Sequence, residues 1–186
     1  EAIEPWLDRL AALRIEIFRE FPYLYNGDLD YERSYLAAYM ACPKSLFVLA
    51  LNEGDLVGVS TGLPMLYADE DFQRPFKNQD LELDDIFYFG ESVLLPEYRG
   101  RGIGHRFFDE REAFAKELGA TMTTFCAVER PEDHPMRPKD YLALHGFWAK
   151  RGYVRRPALA TTYAWLDLGD IEETDKPMVF WTRERE

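Results

Sequence analysis

Residues 93–104, VLLPEYRGRGIG, decide the fold of this chain. The first three residues, 93–95, end an apolar run over 86–95, which is typical of a buried strand and stops at Pro96. Glycines then occupy positions 100, 102 and 104, and apolar residues recur at helical spacing from Ile103 to residue 118. A strand, a glycine-rich turn and an amphipathic helix are therefore predicted in direct succession.

The glycine-rich turn has the features of an anion-binding site. Glycine lets a backbone approach a ligand closely and adopt unusual φ values. The helix that begins near Ile103 directs its unpaired N–H groups and the positive end of its dipole toward the same place. Arg99 and Arg101 add positive charge, so this segment suits a diphosphate.

Two familiar phosphate loops are excluded by the spacing. A P-loop requires GxxxxGK followed by Ser or Thr, and neither Lys-Ser nor Lys-Thr follows these glycines. A dinucleotide fingerprint requires GxGxxG in an opening strand–helix–strand unit. This segment instead reads GxGxG, continues into His105 and lies after a predicted hairpin.

Along the whole chain, hydrophobic periodicity and turn residues predict the order α-α-β-β-β-α-β-α-β-β. Helices are expected at 6–21, 31–41, 103–118 and 141–151, and strands at 45–51, 56–63, 86–95, 121–128, 161–168 and 178–182. Residues 66–85 have no clean period and are predicted to form a loop with room for a short helix. This order predicts one α/β domain, 1–186, with a mixed sheet covered by helices.

The glycine-rich turn resembles the pyrophosphate loop of the GCN5-related N-acetyltransferase (GNAT) family. That loop reads Arg or Gln, two residues, Gly, one residue, then Gly or Ala, and Arg99, Gly102 and Gly104 match it. The order of elements follows the family over nearly the whole chain, except that the family's first strand would precede residue 1. The resemblance implies a mixed, mostly antiparallel sheet, splayed at the cofactor site and flanked by about four helices.

The resemblance also implies an acyl-CoA-dependent N-acetyltransferase. It would move an acetyl group from acetyl-CoA directly to a primary amine of a small molecule or peptide, in a ternary complex. The N–H of Leu94 would polarise the thioester carbonyl. The strand backbone would pair with the acyl-pantetheine arm and the turn would bind the diphosphate, so the expected cofactor-binding residues are Val93, Leu94, Leu95, Arg99, Gly100, Arg101, Gly102, Ile103, Gly104 and His105.

Glu91 is the first candidate for a catalytic base. An amine attacks only when neutral, and deprotonating a lysine-like amine at pH 7 costs roughly 4.6 kcal/mol, so a base assists the reaction. Glu91 is a carboxylate within the apolar run 86–95, where an acid is either exposed at an edge or functional. Both interpretations stay open at this point. Asp84 and Asp85 precede the strand and are expected to be solvated.

One position departs from the family pattern. The last helix of the family often has a Tyr four residues before a Gly, where it protonates the leaving thiolate, and Trp148 stands at that position here. Tyr141 and Tyr153 are near in sequence, but each is expected in the core or at its rim. The departure supports an alternative function, a non-catalytic acyl-CoA-binding module.

The acceptor site is expected in the loop between the first two helices and in residues 66–85. Aromatic residues are interleaved with carboxylates there, and the candidates for substrate contact are Tyr23, Tyr25, Tyr31 and Tyr67. Aromatic rings beside carboxylates suit an organic cation. The alternative is that these residues only pack at the rim and keep the surface soluble.

Composition limits the partners. The net charge of −12 argues against nucleic acid, because phosphate binding needs an excess of positive charge. No apolar run approaches the roughly 20 residues of a membrane span.

Cys42 and Cys126 have no metal-site spacing, and two free thiols fit the reducing cytoplasm. The sequence leaves a monomer and a homodimer open.

Overall fold

The computed structural model describes residues 3–185, in which six strands form one sheet. The strands are β1 (Leu46–Asn52), β2 (Asp55–Pro64), β3 (Ile86–Leu94), β4 (Met122–Val128), β5 (Val154–Trp165) and β6 (Thr174–Glu184). Their order across the sheet is β1-β2-β3-β4-β6-β5, and β3 and β4 are the one parallel pair among these described strands. The predicted mixed, mostly antiparallel α/β fold is confirmed.

Five α-helices of the described residues cover the two faces of the sheet. They are α1 (Leu7–Phe18), α2 (Leu29–Ala41), α3 (Glu70–Lys77), α4 (Ile103–Glu117) and α5 (His145–Lys150). Side chains alternate along β3, so Phe87 and Phe89 pack under α4 with Phe108, whereas Tyr88 packs on the opposite face with Phe72 of α3. None of the helices in residues 3–185 is long and apolar enough to span a membrane.

The local patterns located most element ends within a few residues. Asp28 explains the start of α2 at Leu29, because its side chain accepts from the N–H groups of Asp30 and Tyr31 and so caps the helix. The hairpin turn between β1 and β2 has positive φ at Gly54, as its sequence predicts, and also at Glu53, which the sequence did not indicate. The helix allowed within 66–85 is α3.

The C-terminal third differs from the expectation at three elements. The helix predicted over 141–151 begins only at His145, because the preceding segment points apolar side chains outward, and Leu142 is 86% exposed. The strands predicted at 161–168 and 178–182 are longer, since β5 begins at Val154 and β6 at Thr174. The first half of β5 was not predicted because it contains Pro157, and a proline argues against a strand. The strand tolerates Pro157 because it is an edge strand and the proline lies in a bulge between Arg156 and Ala160.

Candidate active site

The parallel strands β3 and β4 separate after a short paired segment. They pair only from Ile86 to Tyr88 on β3 and from Met122 to Thr124 on β4. Beyond that point β3 continues to Leu94 and β4 to Val128 without a pairing between them. A gap therefore opens in the middle of the sheet, as the family resemblance implied.

A bulge in β3 lies where this gap begins. Ser60 of β2 is opposite Ser92 of β3, but Gly62 is opposite Phe89, so β3 contains one extra residue at 90–91. Gly90 is required there, since a Cβ at this position would lie 2.2 Å from the Tyr39 hydroxyl. The bulge directs the Glu91 side chain toward α1 and α2, where it contacts Arg14 and Tyr35.

Arg111 of α4 holds the bulge from the other face of the sheet. Its guanidinium is buried between the rings of Phe89 and Phe108 and donates to the main-chain oxygens of Glu91 at 3.2 Å and Thr61 at 3.3 Å. Burial lowers the pKa of Arg111 to about 10. A buried cation thus satisfies two carbonyl groups that the irregular pairing leaves beside the gap.

The N–H of Leu94 faces the gap. The N–H of Leu95 donates to Val57 O on β2 at 3.0 Å, so residues 57 and 95 form a hydrogen-bonded pair. Residues along an antiparallel pair alternate between bonded and non-bonded positions, which places Leu94, opposite Gly58, in a non-bonded position. Leu94 therefore directs its main-chain groups away from β2, while Val93 and Leu95 direct theirs toward it.

The glycine-rich turn adopts a conformation that requires glycine at two positions. The φ angles are +74° at Gly100 and +83° at Gly102, and a Cβ at either position would have no atom within 4 Å, so the requirement comes from the backbone alone. The first α-helical bond of α4 runs from Arg106 N to Gly102 O. The N–H groups of Ile103, Gly104 and His105 therefore point out of the helix end.

The two arginines of the turn differ in their contacts. Arg99 donates from Nε to Leu94 O at 3.1 Å and binds both oxygens of Glu20 at 2.9 and 3.1 Å. Arg101 lies over the ring of Tyr98, 5.3 Å from its centre. The turn thus contains one arginine already paired with a carboxylate and one stacked beside the helix end.

An aromatic cavity of about 100 Å³ lies on the α1, α2 and α3 side of the sheet, next to Glu91. Tyr23, Tyr25 and Tyr31 line it as predicted residues of the acceptor site, whereas Tyr67 is half exposed and outside the lining. The cavity also contains Cys126 and Met178 from β4 and β6. Its nine aromatic residues are Phe18, Tyr23, Tyr25, Tyr31, Tyr35, Phe72, Tyr88, Tyr163 and Trp165.

Three buried charged residues also line this cavity. Arg14 donates from Nε to Glu32 and from NH1 to Glu91 Oε2 at 2.8 Å, and its guanidinium lies 4.2 Å from the centre of the Tyr35 ring. The Tyr35 hydroxyl donates to the same Glu91 oxygen at 3.1 Å. Burial opposes the charge of Arg14, but Glu91, Tyr35 and Glu32 hold the pKa of the guanidinium above its ordinary value. Glu91 is therefore buried rather than exposed at an edge.

Arg14 and Glu32 were not among the residues predicted for the site. Arg14 had a signal in the sequence, because it lies at helical spacing from Leu10 and Ile17 and so occupies a core position of α1. Two carboxylates of the segments in which the acceptor site was expected have other roles. Asp28 and Asp69 cap α2 and α3.

A larger groove of about 740 Å³ runs between the edge strand β1 and α4. Arg101 and Ile103 border one end of it. Neither Glu91 nor any residue of β4 lines this groove. The aromatic cavity, which contains both Glu91 and Cys126, is therefore the site that adjoins the gap.

Three other residues near the gap are packed in or against the core. The Tyr153 hydroxyl is bonded to Thr123 and donates to Glu112, and Trp148 packs against Phe125 and Trp181. Burial raises the pKa of the Cys126 thiol to about 12. None of these three side chains is arranged as a proton donor or nucleophile toward the gap.

The chain matches the family model of the acetyltransferase (GNAT) family over residues 10–153. No curated protein matches it by sequence. The fold is similar to ribosomal-protein-alanine N-acetyltransferase from Brucella melitensis, with a TM-score of 0.63 and 15% identity over 98% of this chain and 96% of that one.

Two similar structures contain the cofactor. One is an aminoglycoside 6'-N-acetyltransferase complexed with coenzyme A, with a TM-score of 0.57 and 14% identity over 95% of this chain and 91% of that one. The other is yncA from Salmonella typhimurium with acetyl-CoA, with a TM-score of 0.60 and 9% identity over 98% of this chain and 90% of that one. At this level of identity, the three similarities show a shared fold only.

Proposed function

The chain belongs to the acetyltransferase (GNAT) family, and we propose that it moves the acetyl group of acetyl-CoA directly to the primary amine of a small molecule or peptide in a ternary complex. The observation that supports this most is the position of Glu91. Its main chain lies in the bulge beside the gap, and its carboxylate lines the aromatic cavity. The acyl arm and the amine would therefore reach Glu91 from opposite faces of the sheet.

The residues of the gap and the turn fit acetyl-CoA, which supplies the acyl group as an activated thioester. The outward N–H groups of residues 103–105 and the left-handed glycines form a cradle for a diphosphate. The Leu94 N–H faces the gap and would donate to the thioester oxygen. Arg99 would exchange Glu20 for the diphosphate, since an exposed ion pair contributes about 1 kcal/mol or less.

Glu91 would act as the base. Its Oε2 is fixed by Arg14 and Tyr35, whereas its Oε1 is buried without a hydrogen-bond partner and is free to accept the ammonium proton. A positioned base contributes about 10² to 10⁴ in rate. No acid from α5 is needed, because a thiolate whose thiol has a pKa near 8.5 is a tolerable leaving group at neutral pH.

The test measures cofactor binding and chemistry separately. Acetyl-CoA should raise the melting temperature, and thiol release from acetyl-CoA should require an amine from a panel of monoamines, polyamines, amino acids, aminoglycosides and lysine peptides. Stabilisation without release on any amine would identify a non-catalytic acyl-CoA-binding module. The absence of any stabilisation would contradict the proposal.

We also propose a cytoplasmic location, as the sequence predicts. Cys42 and Cys126 are both buried and free in the fold. A reducing compartment keeps such thiols free. Fractionation of cells that express the protein tests this directly.

A further inference from the structure

We infer that the acceptor is a compact monoamine without a carboxylate, and that Glu32 binds its ammonium group in the aromatic cavity. The inference rests on the proposed function and narrows its acceptor by charge, polarity and size. Nothing in the sequence pattern indicated Glu32, because its role depends on contacts between α1, α2 and β3.

The charges of the cavity favour one cation. Glu32 and Glu91 contribute two negative charges, and Arg14 between them contributes one positive charge. A buried net charge is costly unless an opposite charge compensates it. One ammonium group would make the cavity neutral, whereas a second amine or a carboxylate would disturb the balance again.

Glu32 has an oxygen available for this ammonium group. The side chain is fully buried, its Oε2 accepts from Arg14, and its Oε1 has no partner in hydrogen-bonding geometry, although the Tyr25 hydroxyl lies close to the same carboxylate. A buried acceptor without a partner costs about 1–3 kcal/mol, which a ligand N–H would recover. Glu91 has the same free oxygen beside the gap, so Glu32 would bind the amine and Glu91 would take its proton.

The walls of the cavity specify an apolar body. Aromatic rings surround the charged group, and the stacked rings of Phe72 and Tyr88, 5.3 Å apart, and of Phe72 and Tyr163, 5.0 Å apart, form one wall. Ring faces attract cations and apolar groups. The volume of about 100 Å³ is smaller than the roughly 150 Å³ that holds a benzene molecule, so the acceptor has to be compact and part of a ring ligand would extend toward the open side of the cavity.

A carboxylate on the acceptor has no partner in this lining. Arg14 already binds two carboxylates. Arg130 and Lys176 lie beyond Trp165, and their donors are directed to Asp167 and to main-chain oxygens rather than into the cavity. An α-amino acid would therefore place its carboxylate against the oxygens of Glu32 and Glu91.

The experiment compares phenethylamine with phenylalanine, which has the same body plus a carboxylate. Calorimetric titration into the CoA-saturated protein measures binding, and thiol release measures turnover. Phenethylamine should bind and react at least about 100-fold better than phenylalanine or a lysine peptide. A preference for phenylalanine or for the peptide would overturn the inference while leaving amine acetylation intact.

The variant Glu32→Gln tests the binding residue. It should raise the Kd of phenethylamine at least about 30-fold while changing the Kd of acetyl-CoA less than about threefold. The control Glu16→Gln removes one exposed charge from α1 and should change neither constant. An unchanged Kd for phenethylamine in Glu32→Gln would refute the role of Glu32. If this variant does not fold, the two ligands on the wild-type protein still decide the substrate class.

Discussion

Arg111 donates to the main-chain oxygen of Glu91 at 3.2 Å, so a buried cation on α4 fixes the bulge that presents Glu91 to the cavity. The carboxylate of the same residue is held from the opposite face by Arg14. Two arginines on opposite sides of the sheet therefore fix the main chain and the carboxylate of Glu91. Its geometry depends on α1 and α4 as much as on β3.

Replacing Arg111 should lower both stability and turnover. Arg111→Met leaves the carbonyls of Glu91 and Thr61 without donors, and each buried unsatisfied group costs about 1–3 kcal/mol, so we expect a loss of about 2–6 kcal/mol in the free energy of unfolding. Guanidinium unfolding measures this loss. The control Arg106→Met, which removes an exposed pair with Glu110, should cost about 1 kcal/mol or less.

A positioning role for Arg111 also requires a kinetic signature. Turnover by Arg111→Met, measured where the variant is fully folded, should show a lower kcat and a nearly unchanged KM for acetyl-CoA. A variant whose kcat matches that of the wild type would show that Arg111 supports the fold alone.

The glycines of the turn should differ in their tolerance of alanine. Gly102 has a φ of +83°, so Gly102→Ala costs about 1–2 kcal/mol or forces the turn out of its cradle. We expect its Kd for acetyl-CoA to rise about tenfold. Gly104→Ala is the matched control, because its Cβ would make an ordinary 3.8 Å contact with Phe147. Equal affinities of the two variants, measured by calorimetry, would argue against the cradle.

Removing the partner of Arg99 should strengthen cofactor binding. Glu20→Gln frees the guanidinium for the diphosphate, and since exposed pairs are weak we expect the Kd of acetyl-CoA to fall by about twofold to fivefold. The gain should shrink at high salt, because ions screen the interaction. Glu184→Gln removes a similar exposed pair with Arg156 on β5 and β6 and serves as control. A weaker affinity in Glu20→Gln would mean that Glu20 positions Arg99 instead of competing for it.

The buried thiols should be unreactive in the folded protein. Burial raises the pKa of Cys126 from 9 to about 12, so alkylation at pH 8 should label neither cysteine before unfolding and both after it. The shift also predicts a pH dependence of stability. The folded thiol keeps its proton longer than the unfolded one, so its contribution is intact below pH 9 and is lost as the pH rises toward 12.

Denaturant unfolding of the wild type and of Cys126→Ala at pH 8 and pH 11 measures the stability that is lost when Cys126 is deprotonated. The variant should lose less stability between the two pH values than the wild type does. Rapid labelling of Cys126 at pH 8 under native conditions would contradict its burial.

The sequence predicted the features that local patterns determine. β3, the glycine-rich turn and α4 follow from an apolar run, alternating glycines and helical periodicity within one continuous segment, and the structure places all three as expected. The position of Leu94 at the gap was implied by the resemblance to the GNAT family and not by a local pattern.

The acceptor cavity could not be predicted in the same way. Arg14, Glu32 and Glu91 come together only through the packing of α1 and α2 on β3, and a single sequence does not reveal which charged residues become buried together. The early start of β5 was missed because of Pro157, and the late start of α5 was missed because the apolar residues before it point outward. In each case tertiary context overrode the local pattern.

The most direct measurement of the central claim is amine-dependent thiol release from acetyl-CoA by the wild type and by Glu91→Gln. The account predicts that release falls at least about 100-fold in the variant. The thermal stabilisation by acetyl-CoA should stay the same, because Glu91 faces the acceptor cavity and not the turn. Release by Glu91→Gln at the wild-type rate would contradict the account.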